Sequence, residues 1–138
     1  MSVEEQRAIV NRWIESWNKQ DLAAAGDLLT PDYQRHDANL PELNGPEATV
    51  DFISTCISGF PDIHLDIEQL IVQDEHVAAR LTVRGTHRGP FMGVPATGRQ
   101  VTVEVADVFR LADGRIAEEW AMMNAMGLMQ QLGVIPSS

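Results

Sequence analysis

The chain has 138 residues, enough for one domain with a substantial core and too few for two, so any functional site is expected inside a single fold spanning 1–138. Ten basic against twenty acidic residues give a formal net charge of −10, which repels phosphate backbones and anionic lipid; with no Lys/Arg cluster to relieve it locally, no nucleic-acid or membrane partner is expected. The one cysteine cannot form an intrachain disulfide, the acidic N-terminal stretch lacks a signal-peptide pattern, and no run of eighteen apolar residues occurs, so a cytoplasmic protein is expected.

Ser2 with Glu5 three residues on makes a capping-box pattern, and Ile9, Val10, Trp13, Ile14 and Trp17 recur behind it at helical spacing, predicting a first helix that ends near Gln20. Asp21 is the expected N-cap of a shorter second helix through Leu29, which Pro31 would stop ahead of a loop holding Tyr33, His36 and Asp37. Gly45-Pro46 opens a third helix that carries Val50, Ile53, Ile57 and Phe60 inward, with Cys56 on the same stripe as a small core residue. From Ile63 the period changes from 3.6 to 2, as strands with one wet face require. Strands are predicted over 63–68, 77–87, 101–111 and 115–123, the last two joined by an Ala112-Asp113-Gly114 hairpin turn. A final helix over 125–132 ends at Gly133. Helices first and strands after is the α+β pattern: helices covering one face of a curved antiparallel meander, closed into a cone.

Motifs that bind phosphates, dinucleotides, zinc or a nucleophilic serine are missing, and the four histidines fit no single-element metal spacing, so neither cofactor nor metal is expected. One residue is out of place. Val101, Val103, Val105, Asp107, Phe109 and Leu111 share one face of a strand, and an acid among them costs several kcal/mol unless it is paired or neutralised. His87 shares the parity of Leu81 and Val83, so a His87–Asp107 pair is expected, either as a general acid/base couple or as an ion pair closing the sheet. Glu118 shares a face with Trp120 and is the expected pocket glutamate, or else a partner of Arg80, Arg84 or Arg110. Trp13, Trp17, Tyr33, Phe91, Met92, Trp120 and Met122 supply lining for a small, ring-shaped hydrophobic substrate, although each alone is equally a core residue. Phe91 and Met92 sit in a Gly/Pro loop, 89–98, suited to a rim or lid.

Tyr33…His36-Asp37, Phe60-Pro61-Asp62, Gly85-Thr86-His87-Arg88-Gly89, the run from Phe91 to Arg99, Asp107-Val108-Phe109-Arg110, Asp113-Gly114-Arg115-Ile116, Glu118-Glu119-Trp120 and Gly127 to Gly133 together span most of the chain. In these motifs the sequence resembles the polyketide cyclases and ester cyclases of the SnoaL-like group, within the NTF2-like cone fold. The resemblance implies a cofactor-free enzyme of aromatic polyketide, that is antibiotic, biosynthesis. Such an enzyme closes a ring by intramolecular aldol condensation in a hydrophobic pocket and works as a homodimer or higher homo-oligomer. It implies Asp107 as base, His87 or His36 as donor, and Asn124 as an amide for an enolate oxygen. The chain departs from the family pattern at Ala121 and Asn124, where members often carry an aspartate. Two alternatives therefore stand beside the cyclase: a cofactor-free hydroxylase acting on a polycyclic aromatic polyketide, and a module that binds a hydrophobic ligand without converting it.

Overall fold

The structure, a computed structural model, describes residues 1–136. Helix α1 (Val3–Asn18) starts where the Ser2 hydroxyl accepts the Glu5 amide at 3.1 Å, and it buries Ile9, Val10, Trp13, Ile14 and Trp17. Asp21 caps α2 (Leu22–Asp27) by accepting from the Ala24 amide at 3.0 Å. That helix stops earlier than predicted, because Leu29 opens strand β1 (Leu29–Asp37) and β2 (Leu40–Asn44) folds back antiparallel to it. Tyr33, His36 and Asp37 thus lie in a strand and not in a loop. Pro31 is tolerated there because the pairing of β1 with its neighbour is irregular between Leu29 and Gln34, where no ladder bond calls for the missing amide.

The remaining elements follow the predicted order: α3 (Pro46–Gly59), β3 (His64–Gln73), β4 (His76–Thr86), β5 (Gln100–Ala112), β6 (Arg115–Met123) and α4 (Ala125–Leu132). Strand β3 outruns its predicted end at Glu68 through a bulge between Ile67 and Gln69. Asp113 and Gly114 both take positive φ, 55° and 76°, as the tight turn between β5 and β6 requires. The sheet runs β2-β1-β6-β5-β4-β3, so the expected meander is present and is extended beyond β6 by two strands. Strand β1 joins β6 in parallel, unlike the antiparallel pairs elsewhere.

The helices cover the concave face. The Asn18 side chain donates to the Leu65 carbonyl at 2.9 Å and accepts the Leu65 amide at 2.8 Å, fixing the end of α1 to β3. At the other end β6 pairs with β5 only from Val105 onward, which leaves the Thr102 backbone, paired with Arg84 of β4 on one side, without a strand on the other. Gln131 of α4 replaces it, accepting the Thr102 amide at 2.7 Å and donating to the Thr102 carbonyl at 2.8 Å. Trp13, Tyr33, Phe109, Leu29, Ile53 and Leu81 are sealed in the core, each fully buried apolar side chain contributing about 1.5–3 kcal/mol. No helix among the described residues is long and apolar enough to cross a membrane.

Candidate active site

Between the helices and the concave face lies a pocket of roughly 900 Å³, counting the space at its mouth. Its wall is apolar over most of its extent, with Trp13 and Trp17 from α1, Phe52 from α3, Phe60 and Phe91 from the following loops, and Val101, Val103 and Val105 from β5. Phe60 and Phe91 meet edge to face at 5.3 Å between ring centroids. The 87–99 segment that carries Phe91 is tied down at both sides: the Arg88 and Gly89 amides donate to the Gly59 carbonyl at 2.9 and 3.2 Å, and the Gly98 amide donates to His87. Gly89 is required there, since a Cβ would collide with the Ser58 carbonyl oxygen.

One end of the pocket is polar. Asp107 on β5, Glu119 on β6, and Arg35 and Asp37 on β1 all line it. Tyr33 stands behind them, wholly buried, and donates its phenol hydrogen to Glu119 Oε1 at 2.6 Å. The Arg35 guanidinium lies 3.4 Å from the same oxygen, 3.1 Å from Asp37, and 4.4 Å above the Phe52 ring. Asp107 retains 6 % exposure and Glu119 2 %. Asp107 Oδ1 is buried with no hydrogen-bond partner among the described residues. Burial, then the Glu119 charge, pushes the Asp107 carboxyl well above the usual carboxylate range, and the Arg35 charge only partly opposes this. The Tyr33 phenol is pushed up for the same reasons in the same order. For Arg35 burial works against the charged form, but Glu119, Tyr33 and Asp107 outweigh it and the guanidinium is held above its ordinary value. Cys56 also lines the pocket; burial pushes its thiol up to about 12, so it is a protonated wall residue and not a nucleophile.

Asp107, Trp13, Trp17, Phe91 and Met92 stand in the pocket wall, where the sequence placed them. His87 does not pair with Asp107. Asp107 faces Ala79 across the β4–β5 ladder, and His87 lies eight residues further along, about 26 Å at strand spacing. There His87 is fully buried, stacks on Phe60 at 5.2 Å, and accepts the Thr97 amide on Nδ1 at 3.2 Å, a fastening for the 87–99 segment. Asn124 is likewise structural: it caps α4, accepting the Gly127 amide at 2.9 Å, and faces solvent.

The larger correction concerns strand β6. Glu118, Trp120 and Met122 occupy the convex face, where His36 stacks on Trp120 at 5.5 Å and binds Glu118 Oε2 at 2.7 Å. Arg110 holds the other Glu118 oxygen at 3.1 Å. The glutamate that reaches the pocket is Glu119, flanked by Ala117 and Ala121. Large apolar Trp120 draws a pattern reading to the wrong side, whereas the concave face needs small residues to leave room under the helices. Arg35 was not singled out in the sequence, and Asp37 and Glu119 stood there only as members of motifs, not as site residues. Reading Tyr33, Arg35 and Asp37 as alternate positions of one strand would have found two of them, but charges on a core-facing parity hide a strand from hydropathy.

An α+β cone whose helices cap an apolar pocket with one acid-bearing end is a fold for binding and acting on a small hydrophobic molecule. The SnoaL-like polyketide cyclase model matches residues 7–132, and the chain belongs to that family. Among characterised relatives, the aklanonic acid methyl ester cyclase DnrD of Streptomyces peucetius is 29% identical over 128 residues, covering 91% of this chain and 88% of DnrD. Among solved structures, AclR of Streptomyces galilaeus, named as a candidate hydroxylase, superposes with a TM-score of 0.89 at 29% identity, over 99% of this chain and 86% of AclR. TsrD of Streptomyces laurentii gives the same TM-score at 27% identity, over 98% of this chain and 99% of TsrD.

Proposed function

We propose that this protein is a cyclase of aromatic polyketide biosynthesis that closes a ring by intramolecular aldol condensation, with Asp107 as its acid/base. One observation carries this reading: a carboxyl with a raised pKa and an unpartnered oxygen, set in the wall of an otherwise apolar, aromatic-lined pocket. A proton on carbon beside a carbonyl is only weakly acidic. A carboxylate that burial has made more basic removes it more readily than a solvated one, and the same group then supplies a proton to the new alkoxide. The aromatic wall orients the folded chain so that donor carbon and acceptor carbonyl meet. The names of the cyclase relatives suggest a methyl ester of an aromatic polyketide acid as the substrate. Asp107→Asn, assayed for ring closure of aklanonic acid methyl ester, should lose at least about a hundredfold in turnover; unchanged turnover would remove Asp107 from the chemistry.

A second reading, hydroxylation of a polycyclic aromatic polyketide, is favoured by the likeness to AclR. Oxygen consumption with a ring-closed polyketide, and no ring closure of an open one, would favour it over the cyclase. The pure binding module rests on the acid missing at Ala121 and Asn124, and tight binding of aromatic polyketides without product would favour it.

The reading includes a homodimer in the cytoplasm. Ala106, Val108, Trp120 and Met122 form an apolar strip on the convex face, with Met122 56% exposed, beside Arg80 and Arg84 in a chain of net charge −10. Sedimentation should give a dimer that Met122→Lys dissociates; a monomeric wild-type protein would overturn this part.

A further inference from the structure

The pocket holds a second carboxylate that a single-acid mechanism leaves unused. Glu119 sits diagonally across the β5–β6 ladder from Asp107, whose direct partner is Ala121, and Phe109 pairs with Glu119. Diagonal positions on one sheet face are within reach of a long side chain. Asp107 and Glu119 both line the polar end of the pocket, and Glu119 is held as an acceptor by the Tyr33 phenol at 2.6 Å and by Arg35 at 3.4 Å. Asp107 Oδ1, buried and without a donor, would be an orphaned acceptor if both groups were ionised. A proton lying between the two carboxyls removes that cost.

We propose that Glu119 acts on the substrate through Asp107, holding one proton in common with it, so that the two carboxyls turn over as a single acid/base unit. This rests on the reading of Asp107 as the acid/base of a ring closure. At rest the unit carries one proton and one negative charge. It takes a proton from the donor carbon, and the electrons of the broken C–H bond form the enolate. The enolate carbon bonds to the acceptor carbonyl carbon, the carbonyl π electrons become an alkoxide, and the unit returns one proton to that oxygen. No electrons enter or leave, and the unit ends as it began. Only Asp107 meets the substrate in this scheme; Glu119 is a positioning residue that stores the proton, and Tyr33 and Arg35 fix how strongly it does so. The charged and titratable groups around the unit are Tyr33, Arg35 and Asp37 from β1 and Cys56 from α3.

Two variants shift the unit in opposite directions. Glu119→Gln removes the negative neighbour, so Asp107 should ionise at lower pH. Tyr33→Phe removes a donor that stabilises ionised Glu119, so the unit should hold its proton to higher pH. Carbon-13 NMR of labelled carboxyls reads this without any ligand: in the wild type the Asp107 and Glu119 resonances should move together in one transition, displaced downward in Glu119→Gln and upward in Tyr33→Phe. With aklanonic acid methyl ester, kcat should fall about tenfold to a hundredfold in Glu119→Gln, KM should change little, and the ionisation limb of kcat/KM should move with the NMR transition. A merely structural glutamate would lower thermal stability in both variants and move neither transition nor limb, and that result would overturn the proposal. If Asp107→Asn is inactive while both variants titrate as the wild type does, Glu119 alone fails; if Asp107→Asn is fully active, the reading of Asp107 fails first. Should Glu119→Gln not fold, the upward shift in Tyr33→Phe decides: its absence sinks the idea.

Discussion

The two faces of strands β1, β6 and β5 carry nearly the same chemistry in opposite surroundings. On the convex face Glu118 is bound by His36 and Arg110, with Trp120 beside them. On the concave face, one residue further along β6, Glu119 is bound by Tyr33 and Arg35, with Asp107 lining the same pocket. Burial would raise the Glu118 carboxyl, but the hydrogen bonds from His36 and Arg110 outweigh it and hold it below its ordinary value. Burial and a second acid hold Asp107 well above its own. Residue type thus says little about acid/base capacity; the side of the sheet decides it, through access to water and the sign of the nearest charge.

The largest test of this contrast moves the acid without leaving the concave face. Asp107→Ala should lose at least about a hundredfold in turnover, and adding Ala121→Asp, directly across the ladder, should recover at least about tenfold of it, measured as kcat on the same polyketide ester. Failure to recover would tie the chemistry to the β5 position and not to the face.

The next test concerns stability. Folding raises the pKa of Asp107, so the folded protein keeps a proton that the unfolded chain releases above about pH 4. The stability this group contributes is therefore complete below that pH and is lost as pH rises through the folded value. Asp107→Asn, which mimics the protonated acid, should be the more stable protein at pH 8, with the gap closing toward pH 4 in denaturant titrations. Parallel curves at all pH values would contradict the buried, protonated acid.

A smaller effect is expected from the apolar wall. Phe91→Ala at the rim should raise KM by about tenfold, in line with about 1–3 kcal/mol of lost hydrophobic contact, and leave kcat nearly unchanged. The smallest belongs to the convex face: Glu118→Gln should leave turnover within about twofold and cost about 1 kcal/mol or less, as partly exposed ion pairs do. A large loss of activity there would erase the distinction between the faces.

Local pattern alone was enough to read much of this molecule. The Trp13/Trp17 stripe, the caps at Ser2 and Asp21, the Asp113-Gly114 turn, the meander from β3 to β6 and the concave position of Asp107 all depend on periods of 3.6 and 2 and on turn chemistry within a few residues. Only the tertiary structure decided what surrounds that acid. Tyr33 and Glu119 are 86 residues apart and meet because β1 joins β6 in parallel, a pairing that leaves no local trace. The charges that make β1 functional also hid it as a strand, and Ala121 beside Trp120 let the larger residue point the reading to the convex side. Periodicity reports which residues share a face, whereas the partner across a non-local ladder is set by the packing of the whole sheet.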